Sequence, residues 1–417
     1  MNDLTLGSQC GDEIIERLNN AGFEAYYVGG CVRNAILGIK INDFDIASSA
    51  KPTEVIKLFK DYKLIETGLK HGTVTVIADM PYEITTFRKE GKYSDSRHPD
   101  KVYFCRSITD DLARRDFTCN AIAYSKNKGF IDIFGGFYDT RNHILRAVGV
   151  PSTRFKEDVL RILRGLRFAS EFGFNIDDRT SRAMINNKSL LDNISRERIY
   201  SELKKIVSGQ YFYPAVIDYF DIINQCFNNE LDPKKYLQAV TSTYKCNGDF
   251  NIKLTVFLYI EYNKNLSSIM EILSILRSDN NLKKTVTQCI SCMQLLSKNI
   301  DCFYQSNSDD LVRKYVAKKI LNMCCGSYKN FLFFVHSLDI PQFSFDIFKN
   351  SISEVFAKNE CYSINQLDIN GTDVMNEGFS GHKISDTLNI VLDSVMRGQT
   401  TNEKKYLLEY IKNLKKS

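Results

Sequence analysis

The sequence predicts an α+β domain built on a mixed β-sheet, followed by an all-α remainder. Three observations carry this expectation. Up to Ala147, short β-rich runs alternate with helical segments, separated by Gly and polar turns. From Pro151 the strand signals fade, and apolar residues recur at helical spacing with almost no proline. Between Ala25 and Ile46 the chain reads strand, tight turn, helix, strand, and the candidate chemistry sits there.

Taken in order, Asp12–Asn20 reads as an amphipathic helix ended by Gly22. Ala25–Val28 is short, apolar and aromatic, as a buried strand should be. Gly29 and Gly30 break it and allow backbone to approach a ligand. Val32–Leu37 has helical spacing, with Gly38 at its C-terminus. Ile41–Ala47 reads as a second strand, on which Asp43 and Asp45 share a face. Two adjacent carboxylates repel unless a cation lies between them, and hard oxygen ligands on a rigid strand suit Mg²⁺. Gly29, Gly30 and Arg33 would hold a triphosphate through backbone N–H groups, a helix N-terminus and a guanidinium.

Pro52 opens a helix over Thr53–Lys60, and β-rich runs follow at Lys63–Glu66, Thr73–Ala78 and Tyr82–Arg88. Glu83 has two readings: a third acidic group at the metal, if its strand neighbours Asp43–Asp45, or a surface residue on an edge strand. Lys89–Lys101 is a polar loop of the kind that carries function. Val102–Cys105 returns as strand. In Asp110–Asn120, Arg114 and Arg115 form either a solvated face or, beside an acidic metal site, contacts to phosphate or ribose. Phe130–Phe134 and Ile144–Ala147 close the domain.

In the helical part, Thr153–Phe172 reads as one helix with an apolar stripe of Val159, Ile162, Leu163, Leu166 and Ala169. Asp158, Arg161, Arg164 and Arg167 fall every three residues along another face, either solvated with local pairs such as Glu157–Arg161, or functional. Ser195 is expected to cap the next helix, with Arg198 near its start. Residues 141–206 hold 14 Lys and Arg against 8 Asp and Glu, a positive excess suited to RNA. Gln210–Asn330 reads as helical and poor in motifs. Ser363–Gly371 reads as a cap or turn, Ser385 as the cap of a helix to Val395, and Asn402–Lys412 as a basic amphipathic ending.

The 417 residues suffice for several domains, and 43% hydrophobic with 25% charged residues describes an ordinary soluble chain. A net charge of +5 permits a nucleic-acid partner without demanding one. The acidic N-terminal stretch has no apolar core, so no signal peptide is expected, and no apolar run approaches the roughly 18 residues of a membrane helix. The expected location is cytoplasmic, with the twelve cysteines as thiols. Cys289 with Cys292, and the adjacent Cys324 and Cys325, lack a second pair at zinc-ligand spacing, so buried helical thiols are expected.

With these residues assembled, the chain resembles the class II tRNA nucleotidyltransferases of the bacterial CCA-adding type. The resemblance covers Phe23–Leu203 and returns at Leu367–Ile411. It rests on Gly29, Gly30, Val32 and Arg33 followed by Asp43 and Asp45; on Arg114, Arg115, Asp116, Phe117, Thr118 and Asn120; on Glu157, Asp158 and Arg161, extended by Arg164 and Arg167; and on ISRERIYSEL, INGTDVMNEGF and TTNEKKYLLEYI. One departure is Asn34, where the family usually has Asp; the hydrogen-bonding capacity is kept and the charge is lost.

The resemblance implies a nucleotidyltransferase head (1–147), a base-recognising neck (148–208), and a body (209–330) and tail (331–417) that contact tRNA. It implies CTP and ATP as substrates, Mg²⁺ as cofactor, tRNA as acceptor and no obligate protein partner. Asp43 and Asp45 would hold metal for a two-metal nucleotidyl transfer, with Glu83 as the third acidic candidate. Gly29, Gly30, Arg33, Arg115, Asp116 and Asn120 would bind the nucleotide. Asp158 and Arg161 would read the base, supported by Arg164 and Arg167. Cytosine and adenine each present an amino donor beside a ring-nitrogen acceptor, which a carboxylate and a guanidinium complement; guanine and uracil present the reverse order. The rival readings are a poly(A) polymerase, an enzyme adding only CC or only A, and a non-catalytic RNA-binding protein. The Lys89–Lys101 loop is full length, against a CC-only enzyme, and is the expected mobile element in the change from C to A. Thr67–Thr73 resembles the CCA-adding form.

Overall fold

The computed structural model describes residues 8–69, 72–91, 102–304, 309–325 and 328–415. Most of the Lys89–Lys101 loop (92–101) and part of Thr67–Thr73 (70–71) lie outside the described residues. The chain divides into two compact units, 1–230 and 231–417.

The strands of the first unit are β1 (Ala25–Val28), β2 (Phe44–Ser48), β3 (Lys63–Ile65), β4 (Thr73–Ile77), β5 (Pro81–Thr86), β6 (Arg88–Glu90), β7 (Val102–Phe104), β8 (Ala123–Ser125), β9 (Gly129–Ile131), β10 (Ile144–Leu145) and β11 (Asn175–Ile176). Seven of them form one sheet in the order β3-β4-β5-β2-β1-β8-β9. The sheet is mixed: β2 and β5 run parallel, and the other neighbours are antiparallel.

Strand alternation gives this sheet two apolar faces. Ala25, Tyr27, Phe44, Ile46, Val74, Val76, Tyr82 and Ile84 share one core with residues of α1 (Gln9–Asn20), α2 (Gly30–Leu37) and α3 (Pro52–Leu58). Tyr27–Phe44 and Phe44–Tyr82 ring centroids lie 5.7 Å apart, pairs worth about 0.5–1.5 kcal/mol each beyond their burial. On the other face Tyr26, Val28 and Ala47 pack with Phe87, Ala121, Ala123, Val148 and the Ile108 and Leu112 side chains of α4 (Ile108–Ala113). Asp45 belongs to this second face, one residue from Phe44 and Ile46 of the first.

The rest of the unit is α5 (Gly136–Arg141), α6 (Pro151–Glu157), α7 (Leu160–Phe172), α8 (Asp178–Asn186), α9 (Arg196–Ser208), α10 (Phe212–Val216) and α11 (Phe220–Cys226). The expected single helix over Thr153–Phe172 is two. Pro151 starts α6, and Asp158 leaves helical geometry at φ −136°, ψ 103°, where its Oδ1 accepts the Leu160 N–H at 3.2 Å. An Asp that can bond its own following backbone is well suited to interrupt a helix in this way. Asp158 and Arg161 are therefore not neighbours on one continuous helix.

Other boundaries also move. β2 begins at Phe44, so Asp43 precedes the strand. The short β11 pairs in parallel with β10, inside a region expected to be purely helical. Ser195 occupies the N-cap of α9, yet its side chain makes no capping bond.

The second unit is helical, from α12 (Pro233–Lys245) and α13 (Phe250–Glu261) to the C-terminal helices His382–Met396 and Lys404–Leu414. Ser385 thus lies inside a helix rather than capping one. Ser363 caps the turn Ile364–Gln366 through a reciprocal bond with Gln366. None of the twelve cysteines is in a disulfide; Cys289, Cys292 and Cys324 are buried as expected, whereas Cys325 is exposed. Among the described residues no helix is long and apolar enough to cross a membrane.

Candidate active site

β1 delivers the chain into Gly29, at φ 72°, ψ −127°, a conformation that other residues adopt only with strain. Gly29 is the N-cap of α2, and no side chain caps this helix start. A Cβ at Gly29 would stand 3.0 Å from a terminal nitrogen of Arg115 and 3.7 Å from Asp45 Oδ2, and one at Gly30 would stand 3.7 Å from an Arg33 nitrogen. The Gly-Gly turn is therefore the floor on which the carboxylate and the two guanidiniums meet. The uncapped first turn also leaves N–H donors suited to an anion.

Asp45 and Glu83 are direct partners in the parallel β2–β5 register, so both point from the same face. β5 lies between β4 and β2, which removes the edge-strand reading of Glu83, although the side chain is exposed. Asp43 is also exposed, ahead of the strand. Burial raises the Asp45 carboxyl above the ordinary carboxylate range; Arg115 opposes this, and the charges of Glu83 and Asp43 reinforce it. A divalent cation would relieve that crowding, and the donor set of carboxylate oxygens suits a hard one. Among the described residues no three acidic, His or Cys side chains form a preformed metal cage. The remaining coordination positions would fall to water and substrate oxygens.

Arg114 and Arg115 are not a solvated face. Asp111, with its side chain 1% exposed, accepts from Arg114 Nε and a terminal nitrogen at 3.0 and 2.7 Å, and from Arg115 at 3.1 Å. Arg115 also donates to the Asn120 carbonyl at 3.2 Å. Burial pushes the Asp111 carboxyl up, but Arg115 and Arg114 together hold it below its usual value.

Arg33 is buried and has amide partners rather than carboxylates. It donates to Asn34 Oδ1 at 3.2 and 2.9 Å and to Asn120 Oδ1 at 2.7 Å. The Asn34 departure therefore leaves an oriented guanidinium whose charge is not neutralised by its neighbour. Asn120 in turn donates to Asp116 Oδ1 at 3.0 Å, and Arg164 donates to Asp116 Oδ2 at 2.9 and 2.6 Å. One chain of hydrogen bonds thus runs Asn34–Arg33–Asn120–Asp116–Arg164, from α2 to α7. Burial alone would raise the Asp116 carboxyl, yet Arg164 and Asn120 hold it well below the carboxylate range.

On the face of α7 that carries the arginines, Arg161 and Arg167 are buried and Arg164 is half-buried. Arg161 donates to Glu157 at 3.1 Å, to the Arg154 carbonyl at 3.3 Å and to the Arg114 carbonyl at 3.0 Å. Arg167 bonds both oxygens of Glu202 on α9 at 3.2 Å. Asp158 is half-buried, with Arg198 at 3.9 Å; burial raises its carboxyl, against Arg161 and Arg198. Asp111, Arg198 and Glu202 were not among the expected site residues. Asp111 had a sequence signal, since it stands three and four residues before the paired arginines. Glu202 had one as well, a lone acid on the Ile199–Leu203–Ile206 apolar face of its helix.

A mixed sheet that sets paired carboxylates opposite a glycine turn and two guanidiniums defines a nucleotidyltransferase. The chain matches the family model described as the poly A polymerase head domain over residues 25–146, and the probable RNA- and SrmB-binding site of polymerase A over 173–221. It is 34% identical over 413 residues to the CCA-adding enzyme of Ligilactobacillus salivarius, covering 96% of this chain and 95% of that one. It is 40% identical over 288 residues to that of Lactobacillus delbrueckii subsp. bulgaricus, covering 68% and 72%. The crystal structure of the Bacillus stearothermophilus CCA-adding enzyme in complex with CTP is 26% identical, with a TM-score of 0.77 over 100% of this chain and 98% of that one. The chain belongs to the CCA-adding enzymes.

Proposed function

We propose that this chain adds C, C and A in turn to the 3′ end of tRNA, from CTP and ATP and without a nucleic-acid template. The observation that carries the reading is the Asp45–Glu83 pair, with Asp43 ahead of it, above a Gly29 turn shared with Arg115 and Arg33. In the transfer the tRNA 3′-oxygen bonds the α-phosphorus, the bond from that phosphorus to the bridging oxygen of the β-phosphate breaks, and pyrophosphate leaves. Divalent cations held by Asp43 and Asp45, Mg²⁺ in this proposal, would supply charge neutralisation and activation of the hydroxyl. Arg33, Arg115 and the N–H groups at Gly29 and Gly30 hold the triphosphate; positioning and charge do most of the work in such a transfer.

For the base, the Asp158 carboxylate accepts from the amino group of cytosine or adenine, and Arg161 donates to the adjacent ring nitrogen. Arg161 now bonds Glu157 and two carbonyls, so reading a base requires it to exchange partners. Arg164, Arg167, Asp116 and Asn120 orient the reading groups. We assign the head to 1–147, the neck to 148–208, and tRNA contact to the body at 209–330 and the tail at 331–417.

The test is to incubate the protein with tRNA ending at the discriminator base, with CTP, ATP or both, and to sequence the 3′ ends. The proposal expects CC with CTP alone and CCA with both. Long A tracts from ATP alone would make it a poly(A) polymerase, products stopping at CC or requiring a CC end would make it a partial enzyme, and no addition would leave RNA binding.

A further inference from the structure

Three guanidiniums converge on one aromatic ring in the first unit. The guanidinium carbon of Arg33 lies 5.2 Å from the Phe168 centroid, that of Arg164 5.4 Å and that of Arg167 4.5 Å. Arg33 also lies 4.4 Å from the Phe172 centroid, and the two rings stack with centroids 6.1 Å apart. Phe168 is 3% exposed, and the fully buried Phe117 meets it edge-on at 5.7 Å. Phe117 directly follows Asp116, the partner of Arg164.

The three guanidiniums are not partnered alike. Arg164 bonds Asp116, and Arg167 bonds Glu202 with Glu171 at 3.7 Å, whereas Arg33 hydrogen-bonds two amide oxygens and rests on two rings, with Asp116 and Glu171 acting on it through charge alone. Like charges this close repel, and a ring quadrupole is the kind of uncharged partner that attracts each of them without cancelling any. Spacing supports the same view: Arg164, Phe168 and Phe172 stand four residues apart and form one ladder on α7, against which Arg33 of α2 rests.

We propose that Phe168 is a positioning residue for the nucleotide. Its ring fixes the direction of Arg33, on the triphosphate side, relative to Arg164 and Arg167, on the base side, so that both ends of the nucleotide are met by one rigid unit. The inference rests on the proposed function and adds a residue that touches no substrate itself.

The test uses the full chain and reads CTP and ATP binding by calorimetry, beside steady-state kinetics and thermal melting. Phe168→Leu keeps apolar bulk and removes the ring; it is expected to weaken nucleotide binding and raise KM by about tenfold, with kcat changed far less. Replacing Phe168 with phenylalanine carrying one, two and then three fluorines keeps the shape and drains the ring's negative face. Affinity is expected to fall stepwise along that series while the melting temperature, lowered somewhat by the weakened ring contacts, stays above the assay temperature. An unchanged affinity across the fluorinated series would overturn the inference and make Phe168 a packing residue, whatever Phe168→Leu does to folding. Failure of the unsubstituted chain to bind CTP would instead overturn the functional reading.

Discussion

Asp45 and Asp116 are carboxylates of one unit, both drawn out of water, and their charges are treated in opposite ways. Asp116 receives two bonds from Arg164, one from Asn120 and one from the Phe117 N–H, and its carboxyl is held low. The Asp45 carboxyl is raised by burial, with Glu83 and Asp43 adding to the rise and the charges of Arg115 and Arg33 offsetting it only in part. A similar contrast holds for cations: Arg167 bonds the Glu202 carboxylate directly, whereas Arg33 bonds two amides, rests on two rings and feels Asp116 and Glu171 only through charge. In the first unit a charge satisfied within the chain holds the fold, and one less satisfied beside the Gly29 turn is available to a ligand.

The largest expected effect comes from the satisfied side. Asp116→Ala takes the carboxylate from Arg164, whose side chain is 32% exposed, and leaves the Asn120 amide and the Phe117 N–H without their acceptor, which should cost about 3 kcal/mol in urea unfolding. The sign with pH follows from the lowered carboxyl: its stabilisation is present above the ordinary value of about 3.9 and is lost as pH falls below it. Asp116→Asn should therefore flatten the acid limb of a stability–pH profile. An unaltered limb would break the contrast.

Glu261, at the end of α13, sharpens it, since this carboxylate is unsatisfied with no role proposed for it. One oxygen accepts the Asp232 N–H at 2.9 Å, the other is buried without a partner, and burial pushes the carboxyl up to about 7, against the Asp232 N–H bond and the Lys235 charge, with the Asp232 charge adding to the rise. A raised acid stabilises the fold only while protonated, so its contribution is full below about pH 4.3 and is lost as pH rises through about 7. Glu261→Gln should thus stabilise the protein by about 2 kcal/mol at pH 8 and by almost nothing near pH 4, read by denaturant melts. If Glu261→Gln also abolished nucleotide addition, an unsatisfied carboxylate far along the sequence would carry function after all. Asp158 is intermediate, half-buried beside Arg198. Asp158→Ala should relax discrimination of C and A against U and G by about tenfold, seen in misincorporation with each nucleotide alone. A slower variant of unchanged selectivity would move Asp158 to the scaffold.

Much of this was legible in the chain. The alternating strand pattern and the Gly29–Gly30 break placed the sheet and its turn, because periodicity and glycine are local signals. The neighbouring of Glu83 and Asp45 was only conditional, since strand order is a tertiary property; the parallel β2–β5 register supplied it. The break at Asp158 was missed because the apolar period of α6 and α7 continues across it. Phe168 gave no signal, since a phenylalanine beside a stripe of leucines reads as core, and only the approach of Arg33 from another helix distinguishes it.

The contrast is tested most directly by Asp45→Asn and Asp116→Asn side by side, melted in chelator and assayed for CCA addition with Mg²⁺. Asp45→Asn should melt at or above the temperature of the unsubstituted chain, because a repelled charge is removed, and should lose at least about a hundredfold in addition rate. Asp116→Asn should melt several degrees lower. An Asp45→Asn protein that melts lower yet adds nucleotides normally would contradict the account, since Asp45 would then hold the fold and the ligand charge would lie elsewhere.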